Sequence, residues 1–243
     1  KTLVAEVGSR GNAERGEAVY RREKLGCLAC HAIGGAGGRV GPDLVSLGAS
    51  APVDYIANSL LDPNQKVKEN YHSLVVVTKQ GQVVTGIKLR QTDNELVLRD
   101  ANDREISVPR KSIDEQVVGT SLMPAGLTET LTRAELVDLV RFLSSLGKPG
   151  PYAASRQPTA RRWRVMADTK PARFRLRRTR DGQAATDDTA FTWVPGYATV
   201  GGKLPLKDLP QLRVKNRQVS VVRCEIEVIA VGAVAVAVDD TTG

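Results

Sequence analysis

The stretch Cys27-Leu28-Ala29-Cys30-His31 constrains this chain more than any other feature. Two thiols three positions apart sit on one turn of helix or tight loop, where each can form a thioether to one side of a porphyrin. The next residue, His31, is then carried under the iron as its proximal ligand. A zinc half-site, a redox dithiol and chance are the competing readings. Zinc asks for four ligands, and the sequence holds no second C-x-x-C; its only other histidine is His72. A thioredoxin-type dithiol belongs in a βαβ setting that the surrounding pattern lacks. The expectation is one covalently attached haem c.

The flanks agree with it. Gly16-Glu-Ala-Val-Tyr20 is helix-compatible and ends shortly before the cysteines, and Gly41-Pro42-Asp43-Leu44 follows them. A metal-ligating histidine usually donates its other ring nitrogen to a carbonyl, and that of Pro42 is a natural acceptor. Apolar residues recur at Val53, Ile56, Ala57, Leu60 and Leu61, the pattern of a helix with one buried face that Asp62-Pro63 stops. A final helix is predicted from the capping box Thr132-Arg-Ala-Glu135, with Leu136, Leu139, Val140, Leu143 and Leu146 facing the core.

An aromatic-bearing helix, C-x-x-C-H and then G-P-D-L together resemble class I cytochromes c. That resemblance implies a distal methionine followed by proline, which here is Leu122-Met123-Pro124. Met123 is thus the expected sixth ligand, with His72 as the rival through bis-His ligation. A thioether holds reduced iron better than a second imidazole does, so His/Met ligation raises the potential and leaves no open iron site. The expected role is an electron carrier rather than an enzyme.

Ninety-two positions separate His31 from Met123, long for a small cytochrome. The excess reads as strands at Tyr71–Lys79, Gln82–Arg90, Glu95–Arg99 and Glu105–Val108, split by the turn signals Lys79-Gln-Gly81, Thr92-Asp-Asn94 and Ala101-Asn-Asp103. A small β-meander or barrel, about residues 70–118, is therefore expected inside an α-helical cytochrome. The order of these motifs, ending in Pro109-Arg110 and Leu122-Met-Pro-Ala-Gly126, is similar to the haem-binding domain family of planctomycetes and verrucomicrobia over roughly residues 12–147. The resemblance implies a periplasmic or cell-envelope module that takes electrons from a dehydrogenase domain or subunit and passes them to an acceptor protein. It implies Cys27 and Cys30 as attachment points and His31 and Met123 as axial positions. The insert also resembles Sm-like barrels, but its seven basic and seven acidic residues cancel, which disfavours nucleic acid.

Charge and punctuation split the chain. Residues 1–150 carry 19 Lys and Arg against 18 Asp and Glu, whereas residues 151–243 carry 16 against 9. The break Gly147-Lys-Pro-Gly-Pro151 marks a cytochrome domain of 1–148, a linker of 149–155 and a basic, β-rich domain of 156–243 whose continuation past residue 243 stays open. Alternation across Val219–Val228 and Val234–Val238 predicts a hairpin, and the domain as a whole a β-sandwich in an α+β chain. Ten of the 25 residues 156–180 are basic, which reads as a solvated strand face or connector, or as a docking surface for an acidic or anionic partner. Trp193 and Tyr197 read as core or loop packing ahead of a sugar-binding face, and Cys224 as a small core residue. No apolar run approaches the ~20 residues of a transmembrane helix. Residues 1–10 lack a signal-peptide core, so a leader is expected to be removed or upstream. Two further functions remain in view: a haem sensor or peroxidase-like protein with a dissociable methionine, and an envelope glycan-binding protein carrying a haem domain.

Overall fold

Thr132 caps helix α6 (Arg133–Leu143): its side chain accepts the Glu135 amide while the Glu135 carboxylate accepts the Thr132 amide. The helix then presents Leu136, Leu139, Val140 and Leu143 to the core, and Phe142 is buried completely. In the computed structural model, residues 2–153, 160–178, 191–214 and 217–223 are described. Helices α1 (Leu3–Arg10), α2 (Ala13–Tyr20), α3 (Cys27–Cys30), α4 (Leu47–Ser50) and α5 (Val53–Leu61) precede α6. A short hairpin, β1 (Ala32–Ile33) with β2 (Ala36–Gly37), follows α3.

Helices α2 and α6 cross at Gly16. A Cβ there would run into the Asp138 carbonyl oxygen and come within 2.7 Å of the Phe142 Cβ. The contact lets Tyr20 tilt against Phe142 at 5.6 Å between ring centroids, and Tyr152 meets Phe142 edge-on at 5.3 Å. Asp138 closes the joint: its carboxylate accepts the Asn12 amide at 2.7 Å and the Arg15 guanidinium at 2.6 and 3.0 Å.

Between α5 and α6 stands an antiparallel sheet: β3 (Ser73–Thr78), β4 (Val83–Gln91), β5 (Glu95–Arg99), β6 (Glu105–Pro109) and β7 (Ile113–Val118). Its order is β6-β5-β4-β3-β7, so the insert is an open five-stranded sheet and not a closed barrel. Strand β7 was not expected. Its mostly exposed residues carry no alternating burial, and it forms because β3 offers a free edge, with a bulge at Val77/Thr78. One face of the sheet buries Leu74, Val76, Val84, Leu96, Leu98 and Val108.

Contacts divide the chain into two compact units, Lys1–Arg162 with Pro195–Leu209, and Trp163–Val194 with Pro210–Gly243. The division therefore does not follow the Gly147–Pro151 break. Pro195–Leu209 joins the first unit because Arg21 donates to the Tyr197 and Ala198 carbonyls and pairs with Asp208 at 2.9 Å, while Glu17 accepts the Val200 amide at 2.9 Å. In the second unit the basic segment is neither a strand face throughout nor a connector. It forms strand β8 (Arg162–Met166) and a helix, α7 (Lys170–Arg178), which buries Ala172 with Met166, Phe191 and Leu212. With β9 (Trp193–Tyr197), β10 (Leu212–Val214), β11 (Arg217–Val219) and β12 (Val222–Arg223), the described residues give a sheet of order β12-β8-β9 and a separate β10-β11 hairpin. Cys224 and most of the hairpin expected over 219–238 lie outside the described residues. Trp193 packs against the second unit's core, with the Arg164 guanidinium 5.5 Å from its ring centroid. The chain is α+β, with helices and antiparallel sheets.

Two outcomes follow from the α2–α6 joint. Gly16→Ala forces the helices apart and lowers stability by about 1–3 kcal/mol, read as a fall in the urea midpoint at unchanged slope. Burial alone would raise the Asp138 pKa, but the bonds from Arg15 and Asn12 outweigh it and hold the carboxyl below its ordinary 3.8. Its stabilisation is therefore complete above that value and is lost as pH falls through the lower folded-state pKa. Asp138→Asn loses about 1.5–3 kcal/mol at neutral pH and shows a shallower acid limb in urea unfolding than the parent.

Candidate functional site

Gly26, at φ +66°, turns the chain into the single helical turn of α3, and the His31 amide closes that turn onto the Cys27 carbonyl at 2.8 Å. His31 itself is extended (φ −112°, ψ 133°), so its ring leaves the helix as the backbone turns away. Its carbonyl accepts the Tyr20 hydroxyl at 2.9 Å, which ties this residue to the α2–α6 joint.

Each residue of Gly41-Pro42-Asp43-Leu44 has a distinct contact. Gly41 lies flat against the His31 imidazole: a Cβ there would overlap the ring and stand 2.6 Å from Nδ1. The Pro42 carbonyl oxygen is 2.9 Å from Nδ1. Asp43 accepts the amides of Gly34, Gly35 and Val45 at 2.9–3.0 Å, pinning the β1–β2 turn, and the Leu44 amide bonds the Ala32 carbonyl at 2.8 Å. A carbonyl only accepts, so Nδ1 carries the proton and the neutral ring offers Nε2 as a lone pair. Burial pushes the His31 pKa down, opposed by the Pro42 carbonyl.

The distal segment is held differently. The Ser121 amide donates to Asn64 Oδ1 at 3.0 Å and the Met123 amide to Ser121 Oγ at 3.1 Å. Leu122, Met123, Pro124 and Leu127 then join Cys27, Cys30 and His31 around one cavity of about 400 Å³, within the range of ordinary cofactor sites. Tyr20, Leu25, Ile56, Leu60, Leu139 and Leu143 supply much of its apolar wall. Of the sequence-predicted residues, Cys27, Cys30, His31, Pro42 and Met123 all line this cavity; His72 is exposed at the start of β3 and outside the lining.

The thiols discriminate between chemistries. Both are free, and burial pushes Cys27 up to about 11 and Cys30 above its ordinary value. A reactive dithiol presents a thiolate of lowered pKa, and partial burial works against that at both half-buried cysteines. Among the described residues no three His, Cys, Asp or Glu side chains form a metal-binding group. One imidazole with a fixed tautomer, one thioether and two neutral thiols on an apolar wall do fit a haem held at both edge and iron. No protein-family model matches the chain, and none of the curated proteins matches it. Sequence reasoning missed Tyr20 as the anchor of His31 and Asp43 as the clamp of the hairpin; both lie in the motifs at 16–20 and 41–44, but their partners are set by folding.

Gly41→Ala is expected to displace the imidazole from the Pro42 carbonyl. Nitrogen-15 shifts of the His31 ring in the protein without cofactor should then move from a single Nδ1–H tautomer toward a mixture.

Proposed function

We propose that the first unit is a c-type cytochrome module that carries single electrons. Cys27 and Cys30 would hold the haem through thioethers, His31 Nε2 would bind iron on one side and Met123 Sδ on the other. When bound, the group supplies a one-electron iron couple. The observation that carries the reading is the shared cavity: four residues spread over 97 positions of sequence line one apolar wall, with Nδ1 already committed to a carbonyl.

The protein's own residues do the remaining work. Pro42 fixes the tautomer and strengthens the ligand through its hydrogen bond. Leu25, Ile56, Leu60, Leu139 and Leu143 exclude water, which favours the reduced, less charged iron and raises the potential. With His31 and Met123 both holding the iron, the group would serve electron transfer, so the donor is proposed to be a dehydrogenase domain or subunit and the acceptor a second redox protein. A covalently attached haem would go with a periplasmic or cell-envelope location, which is proposed with it. The basic helix α7 would draw an acidic or anionic partner at low salt. No helix among the described residues is long and apolar enough to cross a membrane.

Expression in a host competent in c-type maturation should give red protein whose colour survives denaturation and acid-acetone extraction, and Cys27→Ala with Cys30→Ala should give colourless protein. Met123→Ala should remove the sulfur-to-iron charge-transfer band and lower the potential. Extractable pigment would overturn the attachment, and an unchanged spectrum would overturn the ligand.

A further inference from the structure

The outer face of the inserted sheet is not solvent throughout. The strand register lines up Ser73, Ile87, Arg99 and Glu105 in one row across β3, β4, β5 and β6. Directly paired residues project from the same face, and the first three of these are buried. Ile87, at the centre of the row, lines the cavity that takes His31 and Met123.

The two ends of the row grip the two ligand-bearing segments. At one end the Ser73 hydroxyl donates to the Thr120 carbonyl at 2.6 Å, and the Gly119 amide donates to the Ser73 carbonyl at 2.8 Å. Three residues on from Thr120 is Met123. At the other end Arg99 donates to the Asp103 carboxylate at 2.9 Å and to the Arg39 carbonyl at 3.5 Å, and Asp103 accepts the Arg39 amide at 3.3 Å. Two residues on from Arg39, Gly41 bears on the imidazole and its amide bonds the Cys30 carbonyl at 2.8 Å.

Arg99 is an expensive way to make a sheet. Its side chain is only 7% exposed and its Nε is buried with no acceptor. Replacing a buried ion pair by apolar residues is often neutral or stabilising, so stability alone gives no reason for a guanidinium here. Its reach does: one side chain meets Asp103, Glu105 (2.7 Å) and the Arg39 carbonyl at once.

We infer that the inserted sheet is a strut: the row Ser73–Ile87–Arg99 holds the Met123 segment and the Arg39–Pro42 loop at a fixed separation across the cavity, with Arg99 and Asp103 as positioning residues. The inference rests on the haem reading for what the separation serves, since an iron bound on both faces needs its thioether and imidazole at one spacing. The mechanical coupling of the two segments stands apart from that reading.

The test uses Arg99→Gln, Asp103→Asn and Ser73→Ala. In each, the amides of Gly41 and Gly119 should exchange with deuterium faster than in the parent at an unchanged slope of urea unfolding, a readout that needs no bound iron. In the haem-loaded proteins the sulfur-to-iron band should weaken and the ferrous form should bind carbon monoxide about tenfold faster, the scale expected for residues in one network. The two charge variants change charge in opposite senses, so a plain Coulombic effect on the iron would move their potentials in opposite directions. The strut moves both downward, and Arg99→Lys, which keeps the charge but not the fork, should recover only part. Opposite potential shifts with an unaltered band, or unchanged exchange at the end of the row remote from each substitution, overturn the strut. Should the charge variants fail to fold, Ser73→Ala, which removes one hydroxyl, decides by exchange at Gly41. A parent protein that takes up no haem overturns the proposed function while leaving the exchange result to judge the coupling.

Discussion

The close crossing of α2 and α6 at Gly16 is the constraint on which the rest of the first unit depends. Without a side chain at that position the two backbones approach until the Asp138 carbonyl touches α2. That approach seats Phe142 beside Tyr20 and brings the Asp138 carboxylate to the amide of Asn12. Tyr20 then reaches the His31 carbonyl, so the placement of the imidazole is inherited from a helix contact eleven residues upstream. The core packing and the site are thus one mechanical object.

The elements that were legible in the sequence share one property: their signal is local. The capping box at Thr132 and Glu135, the apolar stripe from Val53 to Leu60 and the strand runs around Gly81 and Asp103 each draw on residues a few positions apart. Pro42 could be proposed as the acceptor of His31 because eleven residues of loop suffice to close that bond. What was hidden is relational. Strand β7 reads Ile-Asp-Glu-Gln-Val-Val with no apolar alternation, and the free edge of β3 makes it a strand. Helix α7 hides in an arginine run because Ala172 and Leu176 are too few to mark a periodic face until Met166 and Leu212 are placed against them.

The compact units and the local break at Gly147–Pro151 differ for the same reason. Gly147-Lys-Pro-Gly-Pro151 does stop the helical pattern, but a stop in local structure is not a stop in packing. Tyr152 still lies on Phe142, and Pro195–Leu209 returns to α2 through Arg21 and Glu17, more than 170 residues distant in sequence. A positive residue such as Arg21 carries no mark that its partners will be two carbonyls and an aspartate from the far half of the chain. Buried Arg99 is the sharper example. By composition it belongs to a charge-balanced, solvated sheet, and burial appears only when the Ser73–Ile87–Arg99 row is laid against the site.

The apolar wall beside the two cysteines also bears on the chemistries open to a pair three residues apart. A redox dithiol works by presenting a thiolate, and a zinc site works by keeping one, so both draw the thiol pKa down. Here burial drives Cys27 to about 11 and Cys30 upward, with Asp103 adding to the effect at Cys30. A protein that spends its apolar wall in this way keeps both sulfurs protonated and quiet. Thiols held this way present little thiolate for exchange. An apolar macrocycle that fills the cavity beside them would meet them by position rather than by acidity. The imidazole follows the same logic from the other side: burial favours its neutral form, Nδ1–H donates to the Pro42 carbonyl, and the lone pair stays on Nε2.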